Sequence, residues 1–238
     1  MERKHFLKSL LLGAASAPVM LSACSKEADT VAPATTGGTT GGTTGSCAVA
    51  PTETEGPFPT KAPASYVRSD IRDSKTGYPL TVSITVQNTN ASCAALAGAL
   101  VDIWHCDAEG NYSEYGGTGM QSTNYQNVHF LRGRQTTNAS GMVSFTSIFP
   151  GWYNGRATHI HVHIYSASGT SLKVTQIAFP EGTGSAVAAV NGYAKGLSGY
   201  TANAQDNVFS DGVTQQLATV TGSTTAGFNL AITFSVAA

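Results

Sequence analysis

The segment PLTVSITVQNTNASC, residues 79–93, alternates Leu80, Val82, Ile84 and Val86 with Thr81, Ser83, Thr85 and Gln87. A period of two marks a strand with one buried and one solvated face, and NTNAS supplies the turn that ends it. GALVDIWHCDAEGNY continues with Leu100, Val101, Ile103 and Cys106 toward the apolar side. GMVSFTSIF, THIHVHIY, LKVTQIAF and FNLAITFSV are further short runs rich in β-branched or aromatic residues,. Only GSAVAAVNGYAKGL reads as a helix, and a short one. Charged residues at 11% and 26 glycines agree with β structure and speak against helical bundles,. Short strands separated by turns argue for a β-sandwich or a barrel. The predicted class is all-β, read as a β-sandwich of mostly antiparallel short strands with long connecting loops.

The chain has 238 residues, and the sandwich is assigned to residues 47–238. MERKHFLKSLLLGAASAPVMLSAC has a basic start, a short apolar run and small residues before Cys24, so residues 1–23 read as a signal peptide,. The apolar stretch is too short and interrupted for a permanent membrane span. LSAC resembles a bacterial lipobox, which implies cleavage before Cys24 and a lipid on its sulfur. RKHFLK resembles a loosened twin-arginine export motif, an ordinary basic start being the alternative. Residues 24–46 are then the anchor cysteine and a Gly/Thr tether whose 22 linker residues span roughly 25 Å as a coil,. The expected location is outside the cytoplasm, membrane-anchored and facing the periplasm or cell exterior. Without residues 1–23 the chain keeps 10 basic and 13 acidic residues, a net charge of −3. Basic residues are scattered singly, which excludes a nucleic-acid footprint. Cys47, Cys93 and Cys106 allow one disulfide and one free thiol, without showing which pair.

RATHIHVHIY, residues 156–165, places His159, His161 and His163 on one face of a strand and Ile160, Val162 and Ile164 on the other,. Two histidines two apart on a strand can offer two imidazoles to one metal ion. Alone, such a pair is more often an ordinary polar face. Here it follows FPGWYNGR, with Tyr153 in a Gly/Pro turn and Arg156 three residues before His159, and VDIWHCDAEGNY ends in a turn presenting Tyr112.

TEGPFP, VDIWHCDAEGNY, FPGWYNGRATHIHVHIY and TQIAF together resemble the intradiol ring-cleavage dioxygenases, the family of catechol 1,2- and protocatechuate 3,4-dioxygenases. The resemblance runs from about residue 47 to 238 and is weaker in NAQDNVFSDG and the last strand. It implies one Fe(III) per chain, held by Tyr112, Tyr153, His159 and His161. Two hard phenolates favour ferric iron, and imidazoles suit it. A tyrosine of pKa about 10 ionises at neutral pH only beside a strong cation. The resemblance further implies that Tyr153 is displaced by a catechol, that Arg156 stabilises the carbanionic substrate, and that Gln176 supports the pocket. Glu55, Gly56 and Pro57 would line that pocket. The implied partners are a catechol-type small molecule and O2, with the membrane reached through Cys24; the oligomeric state is left open.

Other residues carry plainer readings. Trp104 is expected in the core and Trp152 in the core or at the pocket rim. His105 and His129 are expected at polar strand or loop positions. His163 falls beyond the ligand pair, as a neighbour of the site or facing solvent, and Asp102 reads as a structural hydrogen-bonding group. The Tyr153–His159 segment is shorter than in the well-known family enzymes, which implies a more open mouth, and their long helical N-terminal region is missing. Two other classes compete: a non-enzymatic cell-surface module binding carbohydrate or protein, and a zinc hydrolase using the histidines.

Overall fold

A computed structural model describes residues 47–238; the expected signal peptide, the Cys24 anchor and the Gly/Thr tether lie outside the described residues. The strands are β1 (Pro79–Asn88), β2 (Ala94–Ala95), β3 (Leu100–Trp104), β4 (Arg132–Thr136), β5 (Met142–Ile148), β6 (His159–Tyr165), β7 (Ser171–Ala178), β8 (Thr219–Ser223) and β9 (Gly227–Val236). In one sheet β1 runs parallel to β9 on one side and antiparallel to β5 and β2 on the other, and β8 borders β9. The second sheet has the order β4-β3-β6-β7 and is antiparallel throughout. The chain is an all-β sandwich. Its one described α-helix, α1 (Ala186–Val190), is capped by the Ser185 hydroxyl, which accepts from the Ala188 N–H.

The alternation in the sequence builds the core. Leu80, Val82, Ile84 and Val86 of β1 and Phe228, Leu230 and Phe234 of β9 meet Val101 and Ile103 of β3 and Ile160, Val162 and Ile164 of β6 in one apolar cluster. Full burial of each such side chain contributes about 1.5–3 kcal/mol. The outer face of β6 is covered too, since every residue from His159 to Ile164 is buried. Its cover includes Phe58 and Tyr112, which form a second apolar cluster with Trp104 and Cys106. Cys106, expected near the main core, belongs to this second cluster.

Cys47 and Cys93 form the disulfide, and Cys106 is a buried free thiol. The bridge ties the start of the described chain to the turn after β1, a constraint of about 2–4 kcal/mol. β4 and β8 carried no clear strand pattern. RGRQT hides Arg132 completely and leaves Gln135 half-buried, so its polarity does not mark its place in the sheet.

His105, expected at an ordinary polar position, is buried between the sheets. Its Nδ1 lies 2.8 Å from the Cys106 carbonyl and its Nε2 2.7 Å from the Ser147 hydroxyl of β5. Burial, the largest influence, pushes its pKa down to about 4. Below about pH 6.5 the unfolded chain takes up a proton that the folded chain refuses. The stability held by neutral His105 is thus present above pH 6.5 and lost as pH falls toward 4, by an amount on the order of 3 kcal/mol. Urea unfolding of the parent and of His105→Asn across this range is expected to show a shallower pH slope in the variant. Equal slopes would remove His105 from the account.

Candidate metal and substrate site

The pairing register lays two rows of side chains across the outer face of the second sheet. One row is Arg132, Trp104, His161, Gln176; the next is Arg134, Asp102, His163, Val174. Trp104 therefore stands beside His161, and the rings stack with centroids 4.9 Å apart and planes 1° from parallel. From the other side Gly56 comes close, with a φ of +68° and room so small that a Cβ would stand 3.1 Å from His161 Cε1. His159 is oriented differently: its Nδ1 donates to the Ala157 carbonyl at 2.6 Å, which leaves the Nε2 lone pair facing the site,.

Two turns bring in the tyrosines. In the first, Asp107 Oδ1 accepts from the Asn111 and Glu109 N–H groups at 2.8 and 3.2 Å, while Lys75 Nζ holds Oδ2 at 2.6 Å. The Gln121 amide then grips the Tyr112 backbone on both sides, accepting from its N–H at 2.7 Å and donating to its carbonyl at 2.9 Å. The second turn carries Trp152 and Tyr153 and is locked to the first by two glycines. A Cβ on Gly110, whose φ is +90°, would stand 2.3 Å from the Trp152 carbonyl oxygen. One on Gly151 would stand 2.5 Å from the Ala108 carbonyl oxygen. Phe58 fills the space between the tyrosines, stacked on Tyr112 at 4.9 Å and edge-on to Tyr153 at 5.4 Å.

Three donor atoms converge here. His159 Nε2 lies 3.1 Å from both Tyr112 Oη and His161 Nε2. Two donors about 2.1 Å from one ion and at right angles to each other stand about 3.0 Å apart, so the spacing suits a shared cation. Tyr153 is half-buried, and its hydroxyl donates to the Met120 carbonyl at 3.1 Å. Among the described residues no group of three or more His, Cys, Asp or Glu side chains could hold a metal ion. A cation here would therefore draw on phenol oxygens as well as imidazoles, a donor set that fits ferric iron better than zinc. Burial, then the Arg156 charge, pushes His159 down to about 3. Burial, then His159, holds His161 well below its usual value. Burial raises both Tyr112 and Tyr153, Tyr112 far more. All four groups are neutral without a cation, and a highly charged one would supply what the phenolates need.

Arg156 stands at the rim of this cluster. Its Nε donates to Asp206 at 2.8 and 2.9 Å, one Nη to Gln176 Oε1 at 2.6 Å, and the other faces His159 Nε2 at 3.4 Å. Gln176 in turn donates to the Thr54 carbonyl at 2.9 Å. Tyr112, His159, His161, Arg156, Gln176 and Gly56 are thus contiguous. Pro57 lines a cavity of about 270 Å³ with Phe58, Lys61, Tyr115 and Met120. A second cavity of about 270 Å³ includes Tyr153 and shares Thr118 and Met120 with the first. Glu55 departs from expectation: its carboxylate turns to His163 Nδ1 at 3.0 Å. His163 also bonds Ser171 and Tyr165, away from the convergent atoms. Trp152 is buried, its indole N–H donating to the Gly196 carbonyl, and Asp102 pairs with Arg134 at 2.7 Å. A larger cavity, about 700 Å³ among Tyr66, Lys75, Tyr125 and Phe130, contains none of these residues, so size does not locate the chemistry. Asp206, Gln121 and Phe58 escaped the sequence reading, for they act through contacts that have no local spacing.

A sequence model described as Dioxygenase matches residues 54–214. An intradiol ring-cleavage dioxygenase from Tetranychus urticae superposes with a TM-score of 0.70 at 28% identity, over 80% of this chain and 95% of that one. The chain belongs to the intradiol ring-cleavage dioxygenase family. A family relative from Streptomyces sp. SirexAA-E, the dioxygenase domain of a fusion with a carbohydrate-binding protein, gives a TM-score of 0.57 at 26% identity, over 80% of this chain and 99% of that domain. Catechol 1,2-dioxygenase 1 from Acinetobacter lwoffii is 29% identical over 121 residues, which are 43% of this chain and only 37% of that enzyme.

The glycine lock between the tyrosine turns is testable. Gly110→Ala places a Cβ against backbone at a positive φ, a strain of about 1–3 kcal/mol. The expected result is a lower melting temperature together with weaker iron uptake. A variant that melts and loads iron like the parent would show that the turns are positioned by other contacts.

Proposed function

We propose that the protein is a non-haem Fe(III) dioxygenase that opens the ring of catechol or a substituted catechol between its two hydroxyl-bearing carbons. Both atoms of O2 enter the product, a cis,cis-muconate-type diacid. The observation that carries this reading is the convergence of Tyr112 Oη, His159 Nε2 and His161 Nε2 at 3.1 Å spacing beside Arg156, in a member of this family. Tyr112, Tyr153, His159 and His161 would hold the ion, which supplies the electronic chemistry that lets a catecholate react with O2.

The chain's own groups do the rest. Tyr153 is the half-buried ligand on a turn, so its phenolate oxygen is suited to leave and take a proton from a substrate hydroxyl. Arg156 presents a fixed guanidinium where negative charge grows on the ring, and such preorganised charge is a large contribution. Gln176 holds one Nη of that guanidinium, and Pro57 and Phe58 offer apolar surface to the ring. The Cys47–Cys93 bridge supports an oxidising compartment,. With the lipobox-like segment at Cys24, it favours a lipid-tethered enzyme outside the cytoplasm that degrades aromatic compounds.

The iron-loaded protein is expected to show a visible tyrosinate-to-Fe(III) charge-transfer band that shifts when catechol is added without oxygen. Oxygen uptake with catechol should then follow. A protein that stays colourless and indifferent to catechol after iron reconstitution would refute the proposal. Tyr153→Phe is expected to keep most of its iron and lose much of its activity, whereas His161→Ala loses the iron. Parent-like turnover in both variants would mean that the site lies elsewhere.

A further inference from the structure

The loop before β8 reaches back into the site. Asp206 lies in NAQDNVF between two short 3-10 turns, Asn203–Gln205 and Asn207–Phe209, and its side chain is fully buried. Both carboxylate oxygens accept from Arg156 Nε, at 2.9 and 2.8 Å. Oδ2 also accepts from the Ala157 N–H at 2.8 Å, and Oδ1 from the Val208 N–H at 3.0 Å. Ala157 is the residue whose carbonyl receives the His159 Nδ1 proton. One carboxylate therefore touches both the guanidinium and the backbone unit that sets the His159 ring.

The loop is itself anchored to the strands that carry the site. Glu181, just after β7, accepts from the Asn203 N–H at 2.9 Å and from the Tyr200 hydroxyl at 2.6 Å. The Tyr200 oxygen accepts from the Thr158 N–H at 3.0 Å, and the Asn203 amide donates to the Phe179 carbonyl at 2.9 Å. Asp206 is thus held in a frame joined to both β6 and β7.

We infer that Asp206 is the positioning residue for Arg156, fixing the guanidinium so that one Nη faces the site, and that the 200–206 loop exists to hold it there. The inference rests on the dioxygenase reading for what Arg156 then does. Its physical basis is the division of the guanidinium. Nε is taken by Asp206 and one Nη by Gln176, which leaves the other Nη beside His159 Nε2. A guanidinium pinned through two of its three nitrogens loses little freedom when it meets a negative charge. Charge placed before the reaction acts without the cost of reorienting it.

The test is a double-mutant cycle with Asp206→Asn, Arg156→Ala and the double variant, on iron-loaded protein with catechol. Asp206→Asn is expected to keep its iron and the KM within a few fold and to lower kcat by about 10–100-fold, the usual effect of removing a group that orients another. The double variant is expected to be no slower than Arg156→Ala, within about twofold, because the asparagine amide oxygen still accepts from the Ala157 N–H and the remaining effect on turnover runs through Arg156,. Losses that multiply, or a parent-like kcat in Asp206→Asn, would overturn the inference. A second readout needs no turnover. In metal-free protein the Arg156 Nε–H should exchange slowly in the parent and fast in Asp206→Asn; unchanged protection overturns the inference whatever the activity. A parent that takes up no oxygen with catechol would refute the dioxygenase reading alone, and the exchange measurement would still decide the role of Asp206. Should Asp206→Asn fail to fold, Asp206→Ser, which likewise lacks the carboxylate, replaces it in both arms with the same expected pattern.

Discussion

The Tyr112 phenol and the His161 imidazole each come within 3.1 Å of the His159 Nε2 lone pair, and all three side chains are buried. Polar atoms buried that way cost free energy unless something binds them. The sandwich makes this possible by using β6 twice. Its isoleucines and valine pack inward against β1 and β9, so the strand cannot shift by one residue without exchanging core for histidine. The register that secures the core also secures His159 and His161 on the outer face. Trp104 stacks on His161 because β3 and β6 pair at that position.

The tyrosines have no such register to fix them, and the chain uses close backbone approach instead. Gly110 and Gly151 let the two turns lie against each other at distances no side chain would permit. Asp107, tied to Lys75, shapes the first turn, and Gln121 holds the Tyr112 backbone from both sides. An interlock of this kind couples the two phenols, since neither turn can move far without displacing the other.

Much of this was legible in the sequence, and the limits have physical causes. β1 was legible from local alternation, and β5, β6, β7 and β9 from short β-branched and aromatic runs, both of which a single strand displays by itself. The H-x-H spacing put the two imidazoles on one strand face because a strand's geometry is fixed, whereas Arg156, in the turn before β6, was marked by the family resemblance. β4 was invisible because Arg132 is buried whole, bonded through Ser113 and backbone carbonyls, where the pattern leads one to expect an apolar side chain. Glu55 stands next to Gly56, yet its carboxylate leaves toward His163, a direction that sequence adjacency does not fix. Asp206 lies 50 residues from Arg156, and no spacing rule connects them. The choice of Cys47 and Cys93 over Cys106 likewise depended on where the chain folds back.

The placement of the four candidate ligands divides them by stiffness. His159 and His161 sit on a strand buried on both faces, and Tyr112 is gripped by Gln121 and sealed under Phe58. Tyr153 alone is half-buried, on a turn, with a carbonyl acceptor at Met120 already within 3.1 Å of its hydroxyl. On the proposed function, a site that admits a two-oxygen substrate would have to release something, and releasing a strand residue would break the sheet register. The residue on the turn could leave at the cost of one solvent-exposed contact. On that reading the strand would supply the permanent ligands and the turn the exchangeable one, while Arg156, held by Asp206 and Gln176, stayed in place.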